Sequence, residues 1–186
     1  HTTCRRQRQM CIRDSPLDVN YILGVVKAYV TRVGEGPMPT EICDPIGEEI
    51  AKKGGEVGAT TGRPRRCGWF DAVTVKRIIK SNNVSALCLT KIDVLDFLDT
   101  IKICVDYNYR DGSNDYAECM DLEAVEPKYI ECKGWKTPLK GINRYEDLPL
   151  EAIEFIKKVE EVCELSVDII STGPDDEGTI VVNEDI

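Results

Sequence analysis

Apolar residues recur along this chain in blocks that predict alternating helices and strands, the pattern of an α/β fold. The first block predicts a helix from residue 15, because Ser15 is a suitable N-cap, Pro16 suits the first helical position and apolar residues return on one face. That face comprises Val19, Ile22, Leu23, Val26, Tyr29 and Val30. Two glycines and two prolines within residues 34–39 then predict a turn-rich loop that ends this helix.

Two further helices have recognisable starts. Asp71 is a suitable cap for a helix that ends near residues 81–83, with apolar positions at Val75, Ile78 and Ile79. A third helix is predicted to open at residues 147–149. Its inward face comprises Ile153, Ile156, Val159 and Cys163. Each predicted helix therefore has one apolar side with which to cover a core.

Residues 86–90 form a short, uninterrupted apolar run, which predicts a strand buried on both faces of a sheet. Further strands are predicted at residues 100–107, 127–132 and 167–170. The strand at 86–90 runs into a polar turn at residues 90–93, and the strand at 167–170 runs into another at residues 171–174. Because α/β proteins bind ligands at the carboxyl ends of their strands, we expect both turns to contribute to one site.

The balance of charges argues against a nucleic-acid ligand. The chain has 24 Lys and Arg against 33 Asp and Glu, a net charge of −9 at pH 7, so a polyanion would be repelled. No stretch approaches the roughly eighteen apolar residues of a membrane-spanning helix, and the start lacks the apolar run of a signal peptide. We therefore expect a cytoplasmic protein that binds neither nucleic acid nor a membrane.

The nine cysteines are expected to be free thiols, because their number is odd and no Cys-x-x-Cys pair occurs. Cys67 follows the arginines, whose charge would lower the pKa of its thiol. A nucleophilic role for Cys67 is nevertheless disfavoured, because the only histidine is His1 and no base accompanies the thiol. The same lack of histidine disfavours a conventional zinc site.

Residues 1–14 differ from the rest of the chain, because they hold four arginines and have no apolar periodicity. They resemble translated sequencing adapter, so we expect a non-native or disordered leader, with a basic tail as the alternative. Residues 15–186 are then expected to form a single domain.

The most informative run is residues 58–71, which holds three arginines, two threonines and three glycines within an otherwise acidic chain. Arginine pairs carboxylates and phosphates bidentately, and glycine lets backbone N–H groups approach a ligand oxygen. The run therefore predicts a pocket for a small anion. The alternative is a solvated basic loop without a ligand.

The turn at residues 91–93 suggests guanine. A fixed carboxylate at Asp93 accepts from the N1–H and 2-amino groups of guanine, while the stem of Lys91 covers the ring. Alternatively, Asp93 is only the cap of a following helix. Ser171, Thr172 and Gly173 are likewise open to interpretation as a tight turn without a ligand.

The order of four segments resembles the adenylosuccinate synthetase family. They are GEGPMPTE at 34–41, GATTGRPRRCGWFD at 58–71, LTKIDVLD at 89–96 and IISTGPD at 169–175. The resemblance covers residue 15 to the C-terminus and corresponds to the carboxyl-terminal part of a family member. It implies a partial three-layer α/β fold around a mostly parallel central sheet, as in P-loop NTPase-like synthetases.

The resemblance also implies an activity. Members of the family use GTP to join IMP and L-aspartate, giving adenylosuccinate, GDP and phosphate, in the step that commits purines to AMP. They require Mg²⁺ and act as cytoplasmic homodimers. The family's phosphate loop and its catalytic Asp and His have no counterpart here, so this piece is expected to be inactive alone. The alternative is a non-catalytic guanine-nucleotide-binding module.

Site residues carried over from the resemblance fall into three groups. The loop that closes on L-aspartate comprises Ala59, Thr60, Thr61, Gly62, Arg63, Pro64 and Arg65. Contacts to IMP are expected from Val33, Gly34 and Arg63. Contacts to GTP are expected from Arg65, Lys91, Ile92, Asp93, Ser171, Thr172 and Gly173. No catalytic residue and no metal ligand is expected in this chain. Asp176 stands where the family usually has an arginine, which is expected to weaken nucleotide binding slightly.

Overall fold

The computed structural model describes residues 20–58, 62–109 and 125–183. Nine strands occur in these ranges: β1 Leu23–Lys27, β2 Val30–Arg32, β3 Arg66–Gly68, β4 Phe70–Asp71, β5 Ala86–Thr90, β6 Thr100–Tyr109, β7 Val125–Lys133, β8 Val167–Ser171 and β9 Thr179–Val181. Three α-helices accompany them: α1 Pro45–Lys53, α2 Ala72–Asn82 and α3 Leu150–Cys163. Short 3₁₀ turns lie at Ile92–Leu95, Tyr145–Asp147 and Asp176–Gly178.

The central sheet has the strand order β1-β5-β8-β9. Strand β5 pairs in parallel with β1 on one side and with β8 on the other, and only β9 runs antiparallel. Leu87 and Leu89 on one face of β5 and Ala86 on the other are almost fully buried, as expected of a strand covered on both faces. The predicted α/β class with a mostly parallel central sheet is confirmed.

Two smaller sheets adjoin the central one. Strands β6 and β7 form a long antiparallel pair, and β4 adds to β6 in parallel. The predicted strands at 100–107 and 127–132 are therefore confirmed and extend further than the sequence indicated. Strands β2 and β3 form a short antiparallel ribbon, which joins the segment before residue 33 to the arginine run.

The helix predicted from residue 15 is wrong where the structure describes it. Residues 23–27 and 30–32 form strands instead, and residues 15–19 lie outside the described residues. Helical spacing was matched because the apolar residues of two short strands joined by a turn also fall three or four positions apart. Pairing decides the outcome, since β1 aligns with β5 from Leu23 opposite Ala86 to Lys27 opposite Thr90. Gly24 fits this role, because a Cβ there would lie 2.8 Å from the side chain of Val84.

The other two predicted helices are confirmed. Asp71 caps α2 by accepting a hydrogen bond from the backbone N–H of Thr74 at 3.0 Å. Asp71 also accepts from the hydroxyl of Tyr107, so the cap is tied to β6. Helix α3 buries Ile156, Val159 and Cys163 as predicted. Ile78 of α2 differs from the expectation, because 52% of it is exposed.

The core beside the central sheet includes the aromatic pair Trp135 and Phe155, whose ring centroids lie 5.9 Å apart. Phe155 is fully buried, and burying such a side chain stabilises the fold by about 2–3 kcal/mol. The cysteines at 43, 67, 88, 104, 132 and 163 are free thiols.

Candidate functional site

The two polar turns predicted to share a site do lie at one edge of the central sheet. Strands β5 and β8 run in the same direction, with Leu89 opposite Ile170, so their carboxyl ends are neighbours. The end of β1 lies at the same edge, where the N–H of Ala28 donates to the carbonyl of Thr90 at 2.9 Å. Three strand ends therefore surround one region, the usual place for a ligand in such a sheet.

Lys91 and Asp93 follow β5 directly. Lys91 has a left-handed backbone, with φ of 58°, which is uncommon for a residue other than glycine and is often found at functional sites. This bend starts the 3₁₀ turn that contains Asp93. Burial raises the pKa of the Asp93 carboxyl, while backbone N–H groups and the charge of Lys91 oppose the rise. The side chain of Ile92 is fully buried in the core, so only its backbone can face a ligand.

Hydrogen bonds from side-chain hydroxyls stabilise the turn after β8. The Thr172 side chain is buried, and its hydroxyl donates to the carbonyl of Ile142 at 2.7 Å. The hydroxyl of Ser171 donates to the carbonyl of Gly173 at 2.8 Å. A Cβ at Gly173 would have no atom within 4 Å, so this side of the turn is open. Thr172 therefore supports the turn, and Gly173 leaves space beside it.

Asp96 braces the segment that reaches Thr172. Its carboxylate accepts hydrogen bonds from the indole N–H of Trp135 at 2.8 Å and from the backbone N–H of Leu139 at 2.9 Å. Leu139 leads to Ile142, whose carbonyl accepts from Thr172. The β5 and β8 turns are thus connected through residues 135–142. Sequence reasoning did not assign Asp96, although it lies within the LTKIDVLD segment.

Glu56 joins the arginine run to the strand ends. Its side chain is only 1% exposed and pairs with three cations, namely Lys27 at 2.8 Å, Arg65 at 3.0 Å and Lys91 at 3.3 Å. The hydroxyl of Tyr29 donates to it at 2.7 Å. Lys27 and Tyr29 come from the end of β1, Arg65 from the arginine run and Lys91 from the end of β5. One buried carboxylate therefore holds three separate segments together.

The partners of Glu56 keep it ionised. Burial alone would raise the pKa of Glu56, but hydrogen bonds from Lys27 and Tyr29 and the charges of Lys27 and Lys91 outweigh burial and lower it to about 2. Burial, together with the hydrogen bond to Glu56, raises the pKa of Tyr29. Glu56 therefore carries a full negative charge at neutral pH, and the site around it remains rich in cations.

A second ion pair holds the loop at residues 34–36. Arg66 donates through two nitrogens to the carboxylate of Glu41, a bidentate pair, and donates to the carbonyl of Gly36 at 2.8 Å and of Gly34 at 3.3 Å. Gly34 has φ of 79°, which glycine tolerates. Strand pairing sets Arg32 opposite Arg66, so Val33 and Gly34 follow directly after a residue that is paired with the arginine run. The exposed Val33 side chain points away from the core.

The lowered pKa expected for Cys67 is wrong. Burial of the thiol raises its pKa to about 11, and the nearby charge of Glu56 adds to the rise. Lys27 and Lys91 oppose the rise only partly. The arginines that precede Cys67 in sequence do not surround its sulfur, because β3 turns the side chain inward. An inert thiol results.

This arrangement suits an anion flanked by a heterocyclic base. Arg65 and Lys91 supply positive charge, while Asp93 is an acceptor at the end of β5 beside the open Gly173 turn. The Nε atom of Arg65 is buried and has no acceptor among the described residues. Cationic side chains, a carboxylate and an open turn thus lie close together at the edge of the sheet where α/β proteins bind their ligands.

Comparison with known proteins decides the family. The family model described as adenylosuccinate synthetase matches residues 2–180. The chain belongs to the adenylosuccinate synthetase family. Curated adenylosuccinate synthetases agree, including that of Hahella chejuensis, 52% identical over 170 residues, and that of a Psychrobacter species, 51% identical over 172 residues.

A solved structure also matches. The chain superimposes on a fully ligated adenylosuccinate synthetase from Plasmodium falciparum with a TM-score of 0.84 and 35% identity, over 91% of this chain and 41% of that one. The Hahella relative is covered over 39% of its length by 90% of this chain. The chain thus spans about two fifths of the adenylosuccinate synthetases that it matches.

The residues predicted from the family resemblance are only partly described. Ala59, Thr60 and Thr61 lie outside the described residues, as does the leader predicted at 1–14. The described remainder of the loop, residues 62–65, adjoins the strand ends through Glu56. Sequence reasoning missed Glu56, Glu41 and Arg66. The positions of Arg66 in the arginine run and of Glu41 at the end of the GEGPMPTE segment were signals, whereas Glu56 had none beyond lying next to the arginine run.

Neither a metal centre nor a membrane span is found in the described residues. Among residues 20–58, 62–109 and 125–183, no group of three or more His, Cys, Asp or Glu side chains could hold a metal ion. These ranges therefore offer no cluster of side-chain ligands for the Mg²⁺ that the adenylosuccinate synthetase family implies. No helix in this part of the chain is long and apolar enough to cross a membrane.

Proposed function

We propose that this chain is part of an enzyme that joins IMP and L-aspartate to form adenylosuccinate, with GTP converted to GDP and phosphate. Membership of the adenylosuccinate synthetase family supports the proposal. The single observation that carries it is the convergence of Arg65 and Lys91 on the buried Glu56, with Asp93 in the same turn as Lys91 at the end of β5. A ligase of this kind must hold a guanine base and several anionic groups together.

The guanine base is assigned to the ends of β5 and β8. Asp93 accepts from the N1–H and 2-amino groups of the base, and the stem of Lys91 covers the ring. Ser171 and Gly173 line the opposite side, and Thr172 positions them from below. Ile92 contributes its backbone. Arg65 neutralises charge on GTP.

The two substrates that are joined are assigned to the adjacent loops. L-Aspartate is bound by residues 59–65, with Thr60 and Thr61 as neutral donors and Arg63 as a cation shared with IMP. The backbone of Val33 and Gly34 is assigned to IMP, and Arg66 holds this loop through the carbonyls of Gly34 and Gly36. Mg²⁺ and the reacting phosphate are handled by residues other than those described here. In the cell we propose a cytoplasmic homodimer.

Chemically, the proposed role of these residues is binding and orientation. GTP phosphorylates the purine 6-oxygen of IMP, and the amino group of aspartate then displaces that phosphate. Arginine and lysine side chains around the site hold the anionic reactants close together and offset their mutual repulsion.

The test exchanges the base that the site accepts. In the complete protein encoded by the gene, Asp93→Asn replaces an acceptor by an amide that can donate to the 2-oxo group of xanthine. We expect kcat/KM with GTP to fall at least about 100-fold and kcat/KM with XTP to rise, since a site with unmatched polar groups rejects its ligand strongly. Adenylosuccinate formation is followed by absorbance.

Gly173→Ala is a matched control. The added methyl has no neighbour within 4 Å in the protein, so it leaves folding intact and reports only crowding of a bound base. A wild-type protein that forms no adenylosuccinate refutes the proposal. GTP binding without turnover would favour the non-catalytic guanine-nucleotide-binding module instead.

A further inference from the structure

Arg65 and Lys91 come from different segments but share one carboxylate. Arg65 Nη1 lies 3.0 Å from Glu56 Oε2, and Lys91 Nζ lies 3.3 Å from Glu56 Oε1. Among the described residues, neither cation is paired with a second carboxylate. The two side chains that the proposed function assigns to ligands are therefore oriented by the same buried group.

We propose that Glu56 is a positioning residue that couples the guanine-nucleotide site to the L-aspartate loop, an inference that rests on the function proposed above. Glu56 itself is 1% exposed, so it does not contact either ligand directly. It acts through Arg65 on the loop and through Lys91 at the end of β5. The ligand classes are a guanine nucleotide on one side and a small dicarboxylic amino acid on the other.

The Glu56 carboxylate cannot move towards one of its partners without changing its distance to the others. Its two oxygens offer about four acceptor positions. Tyr29 and Lys27 donate to Oε1 at 2.7 and 2.8 Å, and Lys27 and Arg65 donate to Oε2 at 2.9 and 3.0 Å. Lys91 adds its charge from 3.3 Å. A shift of any one cation therefore moves the carboxylate relative to the others.

Lys27 and Tyr29 anchor the carboxylate to the rigid sheet. Both residues adjoin the end of β1, whose backbone is bonded to β5. A nucleotide that orders Lys91 over its base also orders Glu56 and, through Glu56, Arg65. The Arg65 side chain then loses less conformational entropy when the amino acid binds. Coupling between two binding sites is reciprocal, so each ligand should bind about fivefold more tightly when the other is present.

The neighbouring arginine provides an internal comparison. Arg66 is paired with Glu41 rather than with Glu56, and it holds the carbonyls of Gly34 and Gly36. Two consecutive arginines are thus tied to two different carboxylates. Glu56 should govern the guanine-nucleotide and aspartate sites, and Glu41 should govern the loop assigned to IMP.

The experiment uses the complete protein and steady-state kinetics. The KM of L-aspartate is measured at low and at saturating GTP, and the ratio gives the coupling factor. Glu56→Gln keeps the size of the side chain but removes its charge. We expect the coupling factor to fall from about five towards one and the KM values of GTP and L-aspartate to rise about tenfold, with the KM of IMP changed less than twofold.

Two variants complete the design. Glu41→Gln is the matched control and should raise the KM of IMP while the coupling factor stays at its wild-type value. Lys27→Gln removes the ammonium group that donates to both oxygens of Glu56, while the Arg65 and Lys91 side chains themselves are unchanged. This variant should reduce the coupling factor about twofold. If Glu56→Gln does not fold, the coupling factor of Lys27→Gln tests the inference instead.

An unchanged coupling factor in a folded Glu56→Gln or Lys27→Gln protein overturns the inference. So does an equal rise in all three KM values, because a merely structural role would produce it. Absence of adenylosuccinate with the wild-type protein overturns the proposed function as well, and this result is recognised before any variant is compared.

Discussion

Replacing Glu56 by Gln should make the free energy of unfolding depend less strongly on pH at acidic pH. The partners of Glu56 lower its pKa from 4.5 to about 2 in the folded protein. A folded-state pKa below the unfolded value means that the stabilisation is fully present above about pH 5 and is lost as the pH falls towards 2. Glutamine cannot titrate, so the variant lacks this contribution at every pH.

The size of the effect follows from the two pKa values. A tenfold difference in proton affinity corresponds to about 1.4 kcal/mol, so the ionised Glu56 adds about 3 kcal/mol at neutral pH. About 2 kcal/mol of this is lost between pH 7 and pH 3. No large discount for solvent applies to the carboxylate, because its side chain is only 1% exposed.

Urea unfolding of this chain at pH 7, 5, 4 and 3 measures the effect, with tryptophan fluorescence as the signal. Trp135 is buried in the core and reports its loss. Other carboxylates titrate in the wild type and in the variant alike, so the difference between the two proteins isolates Glu56. We expect that difference to shrink by about 2 kcal/mol from pH 7 to pH 3.

Glu48→Gln is the control, because Glu48 is an exposed carboxylate of α1. Its free energy of unfolding should follow the wild-type pH dependence. A constant difference between the wild type and Glu56→Gln across this range would refute the reasoning, because it would mean that folding does not change the pKa of Glu56.

Two further outcomes are expected. Gly134→Ala should destabilise the fold by about 1–3 kcal/mol in thermal unfolding, because the added Cβ would lie 1.9 Å from the carbonyl oxygen of Leu98. A loss of stability below about 0.5 kcal/mol would contradict this expectation. Iodoacetamide at pH 8 should label exposed Cys43 well before buried Cys67, whose pKa is about 11. Peptide mass spectrometry measures both sites, and equal rates would disprove the buried position of Cys67.

The site could be predicted where its signal is local. The Lys91–Asp93 turn, the 171–173 turn and the arginine run were visible as short motifs, and their placement at one sheet edge follows from the parallel course of β5 and β8. Glu56 was not visible in this way. Its partners lie at positions 27, 29, 65 and 91, and no periodicity or motif relates residues so far apart.

The sequence by itself determined the elements whose cause is local. Asp71 caps α2 through its own neighbours, and the continuous apolar run of β5 predicts a buried strand without reference to any other segment. Only the tertiary structure decided β1. Its residues matched helical spacing, but pairing with β5 gives them backbone partners that outweigh a weak local preference. The environment of Cys67 was decided in the same way, because burial of its sulfur depends on the chain that packs over β3 and not on the arginines beside it in sequence.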